Sequence, residues 1–151
     1  MEITTEMIKE LRERTGGVSV MQCKKALEEA GGDLAKAEGI LRTYSTATAL
    51  KKSDRSLGAG TVGSYTHDGN IGTLVALSCE TDFVAKNPEF TALARELAMQ
   101  VAAMDPENAA DLLEQPFIKD GSKKVQDLLN EAIQKFGERI EVSRFARVSV
   151  R

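Results

Sequence analysis

The sequence predicts an α+β protein: three short N-terminal helices, then a small antiparallel sheet packed against helices. Two changes of pattern carry this reading. Apolar residues recur at helical spacing up to about Ser45, and after Gly60 the period drops to two. A strongly marked helix then follows the β-rich pair. The division expected is a three-helix domain at residues 1–45, a linker at 46–60 and an α+β core at 61–151.

The first helix carries Ile3, Met7, Ile8 and Leu11 on one face and ends at Thr15-Gly16-Gly17. The second opens on a capping box, with Ser19 accepting from the Gln22 amide and Val18 and Cys23 placed as a hydrophobic staple. Its apolar stripe reads Val20, Cys23, Leu27 and Ala30, and Gly31-Gly32 closes it. Asp33 caps a third helix whose face is Leu34, Ala37, Ile40, Leu41 and Tyr44.

From Ser45 to Gly60 the pattern dissolves into Thr, Ala, Lys, Ser and Gly, which reads as a linker with at most a helical turn at Ala47–Lys52. Thr61–Thr66 and Ile71–Ser78 read as strands joined at His67-Asp68-Gly69-Asn70, a hairpin built on Asp-Gly. Asn87 as N-cap and Pro88 at the first helical position start the next helix, with Phe90, Leu93, Leu97, Val101 and Met104 as its buried face. Asp105-Pro106 stops it. A loop with a short turn, Glu107–Asp120, leads to a last helix, capped by Ser122 and striped with Val125, Leu128, Ala132 and Phe136, which Gly137 ends. The tail, Glu138–Val150, alternates as a strand. Ile140, Val142, Ala146, Val148 and Val150 are expected on one face, interrupted by Arg144, with Phe145 on the other.

Of the 151 residues, 42% are apolar, enough for a real core. A net charge of −3 provides no global positive field to hold nucleic acid. The local cluster Lys51, Lys52 and Arg55 is broken by Asp54 and reads as solvated chain. No stretch approaches the roughly 18 uninterrupted apolar residues of a membrane span, and MEITTEMIKE is acidic where a signal peptide is basic. A reducing cytoplasm or organelle matrix is expected, with Cys23 and Cys79 as small buried hydrophobes.

Reaction chemistry is sparse. His67 beside Asp68 reads as a polar turn more readily than as a catalytic pair. No serine sits in a nucleophile elbow, and two cysteines with one histidine make no zinc pattern. Gly58-Ala59-Gly60 lacks the Lys-Ser/Thr of a phosphate loop. The chain reads as a binding protein rather than an enzyme, with no cofactor or metal. Glu80-Thr81-Asp82-Phe83-Val84 stands out. Either Phe83 folds back into the core while Asp82 or Thr81 helps cap the coming helix, or Phe83 is an exposed aromatic anchor for a partner. Composition leaves both open.

Three phrases carry a resemblance. Leu11-Arg12-Glu13-Arg14-Thr15-Gly16, then Cys23-Lys24-Lys25-Ala26-Leu27-Glu28-Glu29-Ala30 and Gly32-Asp33, resemble the opening signature of the elongation factor Ts family. Cys79-Glu80-Thr81-Asp82-Phe83-Val84-Ala85-Lys86-Asn87 resembles its second signature. Leu113-Glu114-Gln115-Pro116-Phe117-Ile118-Lys119-Asp120 resembles a phrase ahead of the final helix in its short forms. The blocks stand in family order and cover nearly the whole chain.

The resemblance implies a ubiquitin-associated-like helical domain ahead of the core, and guanine-nucleotide exchange on elongation factor Tu. It implies that Phe83 wedges between helices of that GTPase beside the nucleotide, with Asp82 as polar neighbour and Thr81 and Val84 completing the loop. It implies that the N-terminal domain docks on the same GTPase domain through Arg12 and the pair Val20-Met21. Family short forms carry a long helical excursion that is missing here between Met104 and Leu112. They can also carry a last-strand Cys linking two subunits, where this chain has Ala146, so the homodimer expected is non-covalent. The rival readings are an adaptor that holds a partner or ribosome without exchange and, more remotely, a hydrolase using Cys79 or His67.

Overall fold

A computed structural model describes residues 2–151. The chain forms two compact units. The first holds the residues up to Ser53 together with Asp127–Gly137, and the second holds Asp54–Gln126 and Glu138–Arg151.

In the first unit, α1 (Thr5–Arg14), α2 (Val20–Glu29) and α3 (Leu34–Lys52) each open on a side-chain cap. Thr4 accepts from the Met7 amide, Ser19 from Gln22 and Asp33 from Lys36, each at 3.2 Å. Leu11, Val18, Cys23, Ala26, Leu27, Ala37 and Leu41 form the core, with Ile3, Met7 and Ile8 packed against it. Two expectations change here. Val20 lies outside this core and is 51% exposed, its place on the stripe taken by Ala26. Residues 46–52, expected in the linker, continue α3. Their hydroxyl-rich composition reads as loop, yet Thr43 and Thr46 donate to the carbonyls of Gly39 and Arg42, four residues back. Ser45 is buried and donates to Gln134.

In the second unit, β1 (Ala59–His67) and β2 (Ile71–Cys79) form the expected hairpin. Asp68 and Gly69 both take positive φ, 51° and 68°, which the tight turn between right-twisted strands requires. Next come α4 (Asp82–Ala85), α5 (Pro88–Met104), α6 (Ala109–Glu114), β3 (Pro116–Phe117), β4 (Asp120–Lys124), α7 (Val125–Phe136) and β5 (Glu141–Ser149). The main sheet is antiparallel in the order β1-β2-β5, and β3-β4 is a separate two-stranded piece. α5 packs across β1 and β2. Phe90, Leu93, Leu97 and Val101 are buried as predicted, while Met104 is exposed beyond the sheet contact.

The segment expected as a loop with a short turn, Glu107–Asp120, contains α6 and β3. It is held by Gln100, a buried side chain on α5. The Gln100 amide donates to the Pro116 carbonyl at 3.0 Å and accepts from the Ile118 N–H at 2.9 Å, so none of its burial is uncompensated. Ser122 is no helix cap. It lies in β4, bonded through Oγ to Asp120 at 2.6 Å, and α7 starts at Val125. In α7 Val125 and Ala132 are buried as expected, while Leu129 and Ile133 are the other buried apolar positions and Leu128 and Phe136 stay half-buried.

The final strand also departs from its predicted face. Arg144 pairs with Ala76 but Val142 pairs with Leu77, so Ser143 is an extra residue, a β-bulge. The bulge switches the alternation. Phe145 and Arg147 stand opposite the buried Val75 and Thr73, while Ala146 and Val148 share the outer face with the exposed Leu74. Arg147 is accommodated inside because its guanidinium donates twice to the Ala102 carbonyl, at 3.2 Å each, near the negative end of α5.

Candidate functional site

The second unit presents its most exposed aromatic at a chain reversal. β2 ends at Cys79, and Phe83 lies in α4, a helix of only four residues. Such a helix cannot hold itself, so its neighbours fix it. Val84 and Ala85 turn inward and are buried, anchoring the C-terminal side. On the N-terminal side, the Glu138 carboxylate accepts from the amides of Glu80 and Thr81, each at 3.0 Å, and from the Thr81 hydroxyl at 2.6 Å. Thr81 occupies the N-cap of α4 without capping it. The result is a Phe83 side chain 90% exposed, with Thr81 and Asp82 exposed beside it. The core reading of Phe83 is therefore excluded, and the helix that follows takes its cap from Asn87, which accepts from Glu89 N–H at 2.9 Å.

The first unit carries a separate apolar face. A groove of about 690 Å³ is lined by Ile8, Arg12, Gly16, Gly17, Val20 and Lys135, among others. The Arg12 Nε donates to the Val18 carbonyl at 2.9 Å, which ties the guanidinium to the start of α2. Val20 is on the groove wall, and Met21, 81% exposed, is its neighbour in the chain. Val20 and Met21 are thus exposed apolar side chains at the N-terminal end of a capped helix.

The residues that carried rival chemistry are placed otherwise. Cys79 is buried and its Sγ donates to the Thr81 carbonyl at 3.3 Å rather than to a base. Burial first, and then the nearby Glu138 carboxylate, push its thiol pKa upward, the opposite of an activated nucleophile. Burial likewise raises the Cys23 thiol, against a smaller opposing effect of Arg12. His67 is the last residue of β1, beside the hairpin turn, its Nδ1 2.9 Å from the Tyr65 hydroxyl and its Nε2 3.4 Å from Asp68. Among the described residues no helix is long and apolar enough to cross a membrane.

Sequence reasoning did not single out Glu138 or the partners of Glu80. The only local signal was a threonine at a capping position whose hydroxyl went elsewhere. The fold and these surfaces define an α+β protein with an exposed aromatic loop, Phe83, bonded at its start and buried at its end.

Comparison with known proteins gives the class a family. A sequence model described as Elongation factor TS matches residues 80–151. The chain is 41% identical to the elongation factor Ts of Thermodesulfovibrio yellowstonii over 99% of its own length and 97% of the relative's. It is 43% identical to that of Desulforamulus reducens, covering 97% of this chain and 88% of the relative, and 42% identical to that of Oleidesulfovibrio alaskensis, covering 96% of each. The chain belongs to the elongation factor Ts family. The alignments run over 194, 192 and 191 positions, so these relatives contain residues for which this chain has no counterpart.

Proposed function

We propose that this chain promotes release of GDP from elongation factor Tu during translation elongation, as a binding factor that makes and breaks no covalent bond. The observation that carries the reading is Phe83, 90% exposed on a loop held at both ends. A rigid aromatic costs little entropy to insert, and its desolvation supplies much of an interface's energy. In this mechanism Phe83 enters between helices beside the nucleotide and disturbs the phosphate and Mg²⁺ contacts, Thr81 and Asp82 line the rim, and Val84 anchors the loop. Arg12, Val20 and Met21 supply a second contact on the same partner. Partner and nucleotide then each lower the other's affinity by one common factor.

Two further features belong to this reading. The outer sheet face carries Val62, Leu74 and Val148, all exposed, and β5 is an edge strand. A second copy of this chain covering that surface makes a non-covalent homodimer, which doubles the number of exchange loops. The setting is a cytoplasm or organelle matrix, and no nucleic acid is bound directly.

The test is stopped-flow release of a fluorescent GDP from elongation factor Tu, with and without the full chain. Acceleration that saturates with chain concentration is expected. Tight association without acceleration would instead identify an adaptor.

A further inference from the structure

The main ladder stops at the pair Ser78–Glu141, yet the two strands stay bound beyond it. Two carboxylates take over from the backbone. Glu138 Oε1 accepts from the amides of Glu80 and Thr81, and its Oε2 accepts from the Thr81 hydroxyl. In return, Glu80 Oε2 accepts from the Arg139 amide at 2.7 Å and lies 3.5 Å from an Arg55 guanidinium nitrogen. The exchange runs both ways: Glu138 satisfies the N–H of Glu80, and Glu80 satisfies the N–H of Arg139, the residue after Glu138.

The consequence falls on the loop. Thr81 is two residues from Phe83, and Phe83 makes no buried contact of its own. Val84 and Ala85 fix the chain after Phe83; before it, the Glu138 carboxylate is what holds the Thr81 amide and hydroxyl. Hydrogen bonds to an ionised acceptor are roughly twice as strong as neutral ones. Three of them converge on one side chain.

We infer that Glu138 is a positioning residue for exchange, acting through Thr81 to set the place and rigidity of Phe83. The inference rests on the exchange reading above. A wedge must hold its shape to displace a closed partner, and a loosened one spends its binding energy on becoming ordered.

The test is a double-mutant cycle on the full chain, read as maximal GDP-release rate at saturating factor and as affinity for nucleotide-free elongation factor Tu. Glu138→Ala is expected to slow release by roughly fivefold or more, because a charged acceptor of three bonds is lost. Affinity should change less. Glu138→Gln retains an oxygen for both amides and should recover most of the rate. In the Phe83→Ala background the Glu138→Ala substitution should have no further effect, an outcome that a general structural role would not give. In the free chain, hydrogen exchange at the Thr81 amide should accelerate by roughly tenfold or more in Glu138→Ala, since that amide loses its acceptor.

If Glu138→Ala exchanges like the unsubstituted chain while Phe83→Ala is slow, the positioning role is overturned and the exchange reading stands. Equal losses in both backgrounds overturn it as well, since Glu138 would then act apart from Phe83. If Phe83→Ala exchanges normally, the exchange reading itself falls and takes this inference with it. Should Glu138→Ala fail to fold, Thr81→Val removes the hydroxyl bond alone and enters the same cycle, where normal exchange or an additive loss overturns the role.

Discussion

Gly63 in β1 lies directly against the backbone of Ala94 in α5. A Cβ at Gly63 would sit 2.3 Å from the Ala94 carbonyl carbon and oxygen and 2.7 Å from the Arg95 nitrogen. Real Cβ atoms do not approach backbone so closely, so a side chain here must push helix from sheet. Gly63→Ala is expected to destabilise the chain by about 2 kcal/mol or more, within the range for overpacking. Urea denaturation gives the number. A loss below about 0.5 kcal/mol, the scale of surface changes, would mean that α5 slides freely on β1.

Phe83→Ala should separate function from fold. The side chain is almost wholly exposed, so the melting temperature should be unchanged, as for surface substitutions within about 0.5 kcal/mol. Stimulated GDP release should fall at least about tenfold, equivalent to roughly 1.4 kcal/mol of lost coupling. Asp82→Ala should act in the same direction and less, being a polar neighbour at a wet rim. A drop of several kcal/mol in stability for Phe83→Ala would return the residue to the core.

Met21→Ala examines the helical unit. Met21 is exposed while Cys23 and Leu27 are fully buried, so truncation should leave folding intact. Association with elongation factor Tu should weaken by roughly 1–2 kcal/mol, the scale of a moderate interface anchor. Calorimetric titration reads this directly, and unaltered affinity would remove Met21 from the docking face.

The dimer prediction is tested on the outer sheet face. At roughly tens of micromolar, a concentration at which a modest self-association is populated, light scattering should return twice the chain mass. Leu74→Lys or Val148→Lys should return it to the monomer by placing an uncompensated charge in an apolar contact. Reducing agent should make no difference, because Cys23 and Cys79 are both buried free thiols. Monomer mass for the unsubstituted chain rules the dimer out.

The two thiols give a pH dependence whose sign is fixed. Burial raises both folded pKa values above the ordinary thiol value. Each cysteine therefore favours the folded state fully below its unfolded pKa. That contribution declines as pH rises past the unfolded value and is lost through the raised folded one. At neutral pH, alkylation of Cys79 in the native chain should run well below the rate for the urea-unfolded chain. Equal rates would show an accessible thiolate, reopening the nucleophile reading.

Local chemistry was legible in the sequence wherever the chain itself supplies the determinant. The caps at Ser19, Asp33 and Asn87, the Asp68-Gly69 turn and the buried face of α5 are short-range facts. Each depends on a residue's own backbone preference, or on a spacing of three or four positions. The signature words around Phe83 were equally visible as words. Other features depend on atoms far away in sequence. The Thr- and Ala-rich end of α3 reads as linker until the Ser45–Gln134 bond is known. The alternation of β5 reads as one face until pairing with β2 inserts a bulge at Ser143. Above all, composition left Phe83 between core and surface. What resolved it was the fold: Val84 and Ala85 are buried and Phe83 is not, and Glu138, fifty-seven positions after Thr81, takes the Thr81 hydroxyl. The sequence by itself determined the main elements and their order, though not α6, β3, β4 or the length of α3, because capping, turns and periodicity are local. Only the tertiary structure decided which side of the loop faces water: Val84 and Ala85 are buried, Phe83 is left outside, and Glu138, from the segment before β5, holds the Thr81 amide and hydroxyl, none of which a local pattern encodes.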